Sequence, residues 1–378
     1  MTRKLLLLAG CVVWLGNGAL GCDKPAEAPQ SAVQVPDYST TADETTVPDE
    51  RAALAAWSDY QDSVFHALSS SSNPRDWALA VVTAALKFDS TGDLPRNRYD
   101  DLIERAMRAA PDDALVQWIA MNQGEATHDV AMQTLRALEP DNAALWIDDL
   151  TTATKRNDDA GIRAALAKIS GRTRFDLHYV DLLKAATEAY LRSPVPDTYF
   201  AAESKDGDPL NKDELAYTNA MTITAAVALP AFQYLVNACR IDPISGKNGA
   251  RAADCATIGR LMATRGDTLI ANRIGDAILR VSHTYMDDDL RFARNMDWVY
   301  QKATSASPSG SDSEIAKDFI MRYHDWIDTG SEVESMRRAL VRQGVAPTPP
   351  EDWVDTWSSF SAERLHGDAA WFEKNASK

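Results

Sequence analysis

The chain has 378 residues, 45% of them hydrophobic, and a formal net charge of -16 from 39 basic and 55 acidic side chains. The apolar content supports a substantial core, and the length allows one to three domains. The negative balance argues against nucleic acid and against an anionic lipid surface as partners, because both are held by Lys and Arg patches; calcium or a basic protein is compatible with it.

In chain order, Met1-Thr-Arg-Lys4 is basic, Leu5 to Leu15 is apolar, and Gly18-Ala-Leu-Gly-Cys22 sets small residues before a cysteine. This is the pattern of a secretory signal peptide covering 1–21. Ala19-Leu20-Gly21-Cys22 resembles the lipobox of bacterial lipoproteins, with Leu and the small residue in reversed order. Leu8-Ala9-Gly10-Cys11 keeps the usual order, but only Leu5 to Gly10 precedes it, short of the ~7 apolar residues or more that such signals need. The resemblance implies lipidation of Cys22 as the first mature residue, a membrane anchor through that lipid, and a chain facing the periplasm of a bacterial cell envelope. More than one acyl tail makes such an anchor stable. Asp23 would mean inner-membrane retention in enterobacteria, a rule that does not transfer to other bacteria, so inner or outer membrane stays open. The competing reading is cleavage near Gly21 that leaves Cys22 as a free thiol.

Residues 22–49 then read as a Pro-rich polar tether, too poor in large apolar groups to offset its own ordering entropy. From Glu50 the apolar spacing is helical, and 50–200 reads as an N-terminal helical-repeat region. Its first helix sets Leu54, Trp57, Val64, Phe65 and Leu68 on one face. Asn73-Pro74 opens a second, with Asn as cap and Pro in the first turn. Arg98 to Ala110 is a third, presenting Leu102, Ile103, Ala106 and Met107. Pro111-Asp-Asp-Ala and Pro140-Asp-Asn-Ala begin two similar units, each followed by a tryptophan, Trp118 and Trp146. Convincing strands are absent: Val, Ile and Thr runs rarely alternate, and no Asn-Gly hairpin signal separates any pair of them.

Leu138-Glu139-Pro140-Asp141-Asn142-Ala143-Ala144-Leu145-Trp146 resembles the junction between tetratricopeptide repeats, which end in Pro and carry an early Trp in the next helix. Asn157-Asp158 takes the place of the inner turn, and Ile162, Leu166 and Ile169 give the following helix its apolar face. The match is partial: Asp149-Leu150 and Ala153 stand where the family has Leu-Gly and Tyr. The spacing between the two tryptophans is also shorter than the family's repeat. Amphipathic helix pairs bury their apolar faces only by stacking, so the expected fold class is all-α, an α-solenoid of stacked antiparallel helix pairs.

A C-terminal helical region, 201–346, follows. Leu215 to Cys239 holds no charged residue, but its Thr, Asn and Gln residues and Pro230 speak for a buried helix bent at the proline rather than a membrane span. With Cys22 acylated and Cys11 removed, Cys239 and Cys255 are the remaining pair in an oxidising compartment, which predicts a disulfide stapling a helix–loop–helix corner. A zinc or redox site there would lack a C-x-x-C spacing and a nearby His. Ala253 to Ala263, Thr268 to Val281, Asp288 to Ala303, Glu314 to Trp326 and Ser331 to Gly344 read as further helices. The last segment, 347–378, places Trp353, Trp357 and Phe360 at helical spacing, a stripe that would dock the terminus onto the body.

No phosphate loop, zinc-protease motif or G-x-S-x-G occurs, so the sequence assigns no catalytic residue, no metal and no cofactor. His178, beside Tyr179 on a helix, reads as a structural histidine; His283 and Asp287-Asp288-Asp289 read as a solvated loop capping a helix rather than a metal site. Glu203-Ser204 resembles the catalytic pair of lytic transglycosylases, which also have an α-superhelical body, but the exposed Lys205-Asp-Gly-Asp that follows and the missing later motifs weigh against peptidoglycan cleavage. The leading expectation is a lipid-anchored envelope protein acting as a protein-binding scaffold, accessory or immunity factor, with an unidentified protein partner. A peptidoglycan-acting hydrolase is the alternative.

Overall fold

The computed structural model describes residues 47–85, 99–124, 126–193, 195, 211–227, 230–242, 244–305 and 312–353. Among these, fifteen α-helices and two short 3-10 turns are present and no β-strand; a single bridge pairs Asn142 with Arg174. The protein is all-α, with chain-neighbouring helices packed in pairs in a solenoid-like manner.

The helices are α1 (Val47–Ser69), α2 (Pro74–Ala85), α3 (Asp100–Ala109), α4 (Ala114–Gln123), α5 (His128–Leu138), α6 (Ile147–Lys155), α7 (Asp159–Ser170), α8 (Tyr179–Arg192) and α9 (Lys212–Ala226). They continue with α10 (Phe232–Cys239), α11 (Ala252–Arg265), α12 (Leu269–Val281), α13 (Asp287–Ser305), α14 (Asp312–Thr329) and α15 (Glu332–Arg342). They cluster into two compact units that interleave along the chain. One holds α1–α5, α8 and α9; the other holds α6, α7 and α11–α15, with boundaries after Pro140, Leu177 and Gln233. The first boundary falls inside the stretch that resembles a repeat junction.

Local sequence explains where helices begin. Asp113 accepts from the N–H groups of Leu115 and Val116, Asn142 from Ala144, Asp158 from Gly161, Thr268 from Ala271 and Ser331 from Glu334. Asn211 and Glu214 form a reciprocal capping box at α9. Each such contact satisfies backbone donors that the first helical turn leaves unpaired. Pro74 stands at the first position of α2, where its missing N–H costs nothing.

In the first unit, α1 pairs with α2, α4 with α5, and α8 with α9. Val64, Leu68, Ile103, Ile119, Leu135 and Leu183 are buried there. The α1 face also carries Tyr60 and Gln61, both fully buried. Gln61 donates from Nε2 to Asn219 Oδ1 of α9 at 2.8 Å and accepts the Tyr190 hydroxyl of α8 at 2.6 Å. Burial pushes the Tyr190 phenol well above its ordinary range, so this network is neutral and hydrogen-bonded rather than ionic.

In the second unit, α6 pairs with α7, α11 with α12 and α14 with α15. Asn157 takes a left-handed backbone (φ 53) in the turn between α6 and α7. Ile162, Leu166 and Ile169 are buried on the inner face of α7. Buried Arg251 bonds Asp159 of α7 at 2.5 Å and the Ala238 carbonyl at 3.3 Å, while Ser170 donates to Asp254 at 2.6 Å, fixing α7 to the start of α11. The α11–α12 pair crosses at Gly259 and Gly275. A Cβ at Gly275 would lie 2.3 Å from the Ala263 amide nitrogen, so the approach is backbone to backbone. Asn272 of α12 donates to the carbonyls of Met262, Ala263 and Gly266, completing the C-terminal end of α11.

The stretch expected to be one bent helix is two. Helix α9 ends at Ala226, Val227 is extended (φ -67, ψ 128), and α10 starts only at Phe232. Pro230 has no N–H to continue the ladder, so α9 does not run on into α10.

Candidate binding pocket

Helix α13 and helix α15 share an apolar seam. Met296, Trp298, Val299 and Ala303 of α13 are buried with Leu269, Val333 and Leu340, and Phe292, Met336, Val345 and Trp353 pack against them. Spacing explains α15: Val333, Met336 and Leu340 face inward, which turns Glu334, Arg337, Arg338 and Val341 outward. Gly344, at φ +71, then reverses the chain after α15, and a Cβ there would be strained. The returning segment is held by the Trp298 indole N–H on the Ala346 carbonyl at 2.8 Å and by Arg294, which donates to the carbonyls of Glu351 at 3.1 Å and Trp353 at 2.9 Å. Trp353 closes edge-on against Trp298, with ring centres 5.4 Å apart.

These elements enclose a solvent-open pocket of about 610 Å³ lined by Asn295, Glu334, Arg337, Arg338, Val341, Arg342, Pro347 and Thr348. Its volume falls in the roughly 300–1,000 Å³ range of small-ligand clefts. Val341, 60% exposed, and Pro347 supply apolar surface. Each arginine is anchored through Nη1: Arg337 to Glu334 at 3.2 Å, Arg338 to Asp328 at 2.5 Å and Asp325 at 3.6 Å, and Arg342 to Asp325. The hydrogen bond to Asp328, then the field of Asp325, raises the Arg338 pKa further above its ordinary value. In a chain of net charge -16, this lining carries three guanidiniums and one carboxylate.

At the start of α15, Glu332 accepts the Leu269 N–H at 2.7 Å and donates its own backbone N–H to the Asp267 carbonyl at 3.1 Å, joining the first turns of α15 and α12. Burial pushes the Glu332 carboxyl up to about 7.

A second polar cluster lies in the first unit. His178 is the residue just before α8 rather than part of it, in a left-handed conformation (φ 53), and is nearly fully buried. Its Nε2 meets Glu139 at 3.0 Å, its Nδ1 lies 3.5 Å from Asp181, and its ring sits 5.2 Å from that of Trp118. The hydrogen bond from His178 lowers the Asp181 pKa. This arrangement ties the end of α5 to the start of α8.

Cys239, at the end of α10, and Cys255, in α11, are both fully buried and meet as a disulfide with Cα atoms 5.6 Å apart. His283 has a left-handed backbone (φ 54) after α12; Asp287-Asp288-Asp289, expected as a loop, is the first turn of α13, where Asp289 accepts the Met286 N–H and pairs with Arg260. No group of three or more His, Cys, Asp or Glu side chains that could hold a metal occurs among the described residues. Cys22, Glu203-Ser204, Trp357 and Phe360 lie outside the described residues. Reading the sequence passed over Arg337, Arg338 and Arg342. The available signal was an Arg-Arg pair with a third arginine one turn later, in an acidic chain. Compared with protein-family models, curated proteins and solved structures, the chain finds no match.

Proposed function

We propose that the chain is a lipid-anchored, periplasm-facing binding protein of the bacterial envelope, an accessory or immunity factor whose helical body engages a protein partner. The observation that carries this reading is the open pocket on α13 and α15, whose lining combines exposed apolar surface with pre-anchored arginines. The basic and apolar N-terminal run ending in Cys22 supports export and acylation. The buried Cys239–Cys255 pair fits an oxidising compartment. In cells labelled with palmitate, the full chain is expected to incorporate label and fractionate with membranes, and Cys22→Ala to do neither. Crosslinking of the lipidated chain in envelopes is expected to capture a partner in stoichiometric amount. Absence of label would remove the anchor, and absence of any partner would remove the scaffold role.

A further inference from the structure

We infer that the α13–α15 pocket is a carboxylate-reading site that takes an acidic peptide segment with an interspersed apolar side chain, supplied by a partner protein. The inference rests on the binding role proposed above and names the chemistry of its ligand.

Arginine reads a carboxylate best through the Nε/Nη2 edge or the paired Nη atoms of its planar fork, in two parallel hydrogen bonds. Arg337, Arg338 and Arg342 each commit Nη1 to an ion pair, and among the described residues none of the three engages Nε or Nη2 in a hydrogen bond. Three such edges therefore line one pocket, uncommitted to any described residue. Their anchoring carboxylates set the forks in place: Asp325, with 15% of its side chain exposed, holds both Arg338 and Arg342 from α14. A preset fork loses less freedom on binding than a mobile one.

Charge decides between ligand classes. The chain as a whole is acidic and would attract a basic partner at long range. Yet the carboxylates at this pocket, Glu334 with Asp325 and Asp328, are already ion-paired to its three arginines, so a basic side chain entering it would compete with guanidiniums for them. A purely apolar ligand would cover Val341 and Pro347 but strip water from forks that it cannot pair. A lone inorganic anion would satisfy the forks and leave the apolar surface unused. An acidic residue beside an apolar one uses both, and the pocket volume admits a few side chains rather than a folded domain.

The test uses the full chain and fluorescence anisotropy with three labelled peptides: one alternating Glu and Leu, one with Gln in place of Glu, and one with Lys in place of Glu. The Glu peptide is expected to bind, more weakly as salt rises, and the Gln and Lys peptides at least about tenfold less tightly. Val341→Glu, at an exposed position that takes no part in the ion pairs, is expected to cost about tenfold by placing a like charge in the pocket. Arg337→Lys with Arg342→Lys keeps the charge but removes two forks, and is expected to weaken the Glu peptide while leaving far-ultraviolet circular dichroism unchanged. Equal binding of the Gln or Lys peptide, indifference to Val341→Glu, no binding of the Glu peptide, or inorganic phosphate binding as well as the peptide would each overturn the assignment. Crosslinking in envelopes separates the two levels. A partner still captured by Val341→Glu leaves the scaffold role standing and sinks the pocket. Peptide binding without any partner does the opposite.

Discussion

Replacing Gly275 by Ala sets two physical effects of opposite sign against each other. In an exposed helix interior this change stabilises by about 1 kcal/mol, because Ala loses less backbone freedom than Gly. Here the new Cβ would fall 2.3 Å from the Ala263 amide nitrogen, 2.6 Å from the Gly259 carbonyl oxygen and 2.9 Å from the Ala263 Cα. All three are backbone atoms, so no side chain can swing aside. Heavy atoms in contact prefer about 3.5–4.0 Å, which requires α11 and α12 to part by roughly an ångström. A gap of that size forfeits a quarter to a half of each contact along the seam, and overpacking of this kind costs about 1–3 kcal/mol, occasionally more. The tight backbone approach puts this site at the upper end, so a net loss of about 2 kcal/mol is expected after the helix-propensity gain. For a unit of this size that is roughly 4–8 °C in Tm. Thermal unfolding followed by circular dichroism and calorimetry measures it. Gly249→Ala is the control, since nothing lies within 4 Å of its Cβ; its Tm is expected to move little. A Gly275→Ala protein as stable as wild type, or more so, would refute the close crossing.

Three further outcomes are expected. Gln61→Leu strands the Tyr190 hydroxyl and the Asn219 Oδ1 in the core, at about 1–3 kcal/mol each; denaturant unfolding should show the loss, and Tyr190→Phe should cost less. Reducing the Cys239–Cys255 bond, with a sequence separation of 16, should lower stability by about 3 kcal/mol, and non-reducing peptide mapping that finds both as free thiols would contradict the bridge. Glu332 has a folded pKa of about 7 against an ordinary 4.5, so the folded chain holds the extra proton across that window and stability falls as pH rises from 4.5 to 7. The loss is at most about 3 kcal/mol, and less in practice because the residue keeps intermediate exposure to water. Glu332→Gln should flatten this slope in pH-dependent melts, and parallel profiles for the two proteins would count against the buried carboxyl.

Much of the architecture was legible in local chemistry. Asn73-Pro74, Pro111-Asp-Asp-Ala, Thr268 and Ser331 announced helix starts, because a start is marked within one turn of chain. Ile162, Leu166 and Ile169 announced a buried face, because one side of a helix recurs at a fixed period. The same rule found Val64 and Leu68 but passed over Tyr60 and Gln61, since a buried glutamine becomes readable only when its distant partners, Asn219 and Tyr190, are known. Leu215 to Cys239 failed for a related reason: composition marked it as buried, while the break at Val227 depended on a proline that could bend a helix or end it.

The amino-acid order by itself determined that the chain is helical and where most helices begin, because these follow from periodicity and capping over short stretches. Tertiary structure alone decided that 141–177 packs with helices that follow residue 233 and that two glycines let α11 and α12 touch backbone to backbone. It also decided that three arginines on one helix share a pocket with Val341 and Pro347. Those features are contacts between residues far apart in sequence or on facing surfaces, and no local pattern encodes which surface a helix will find.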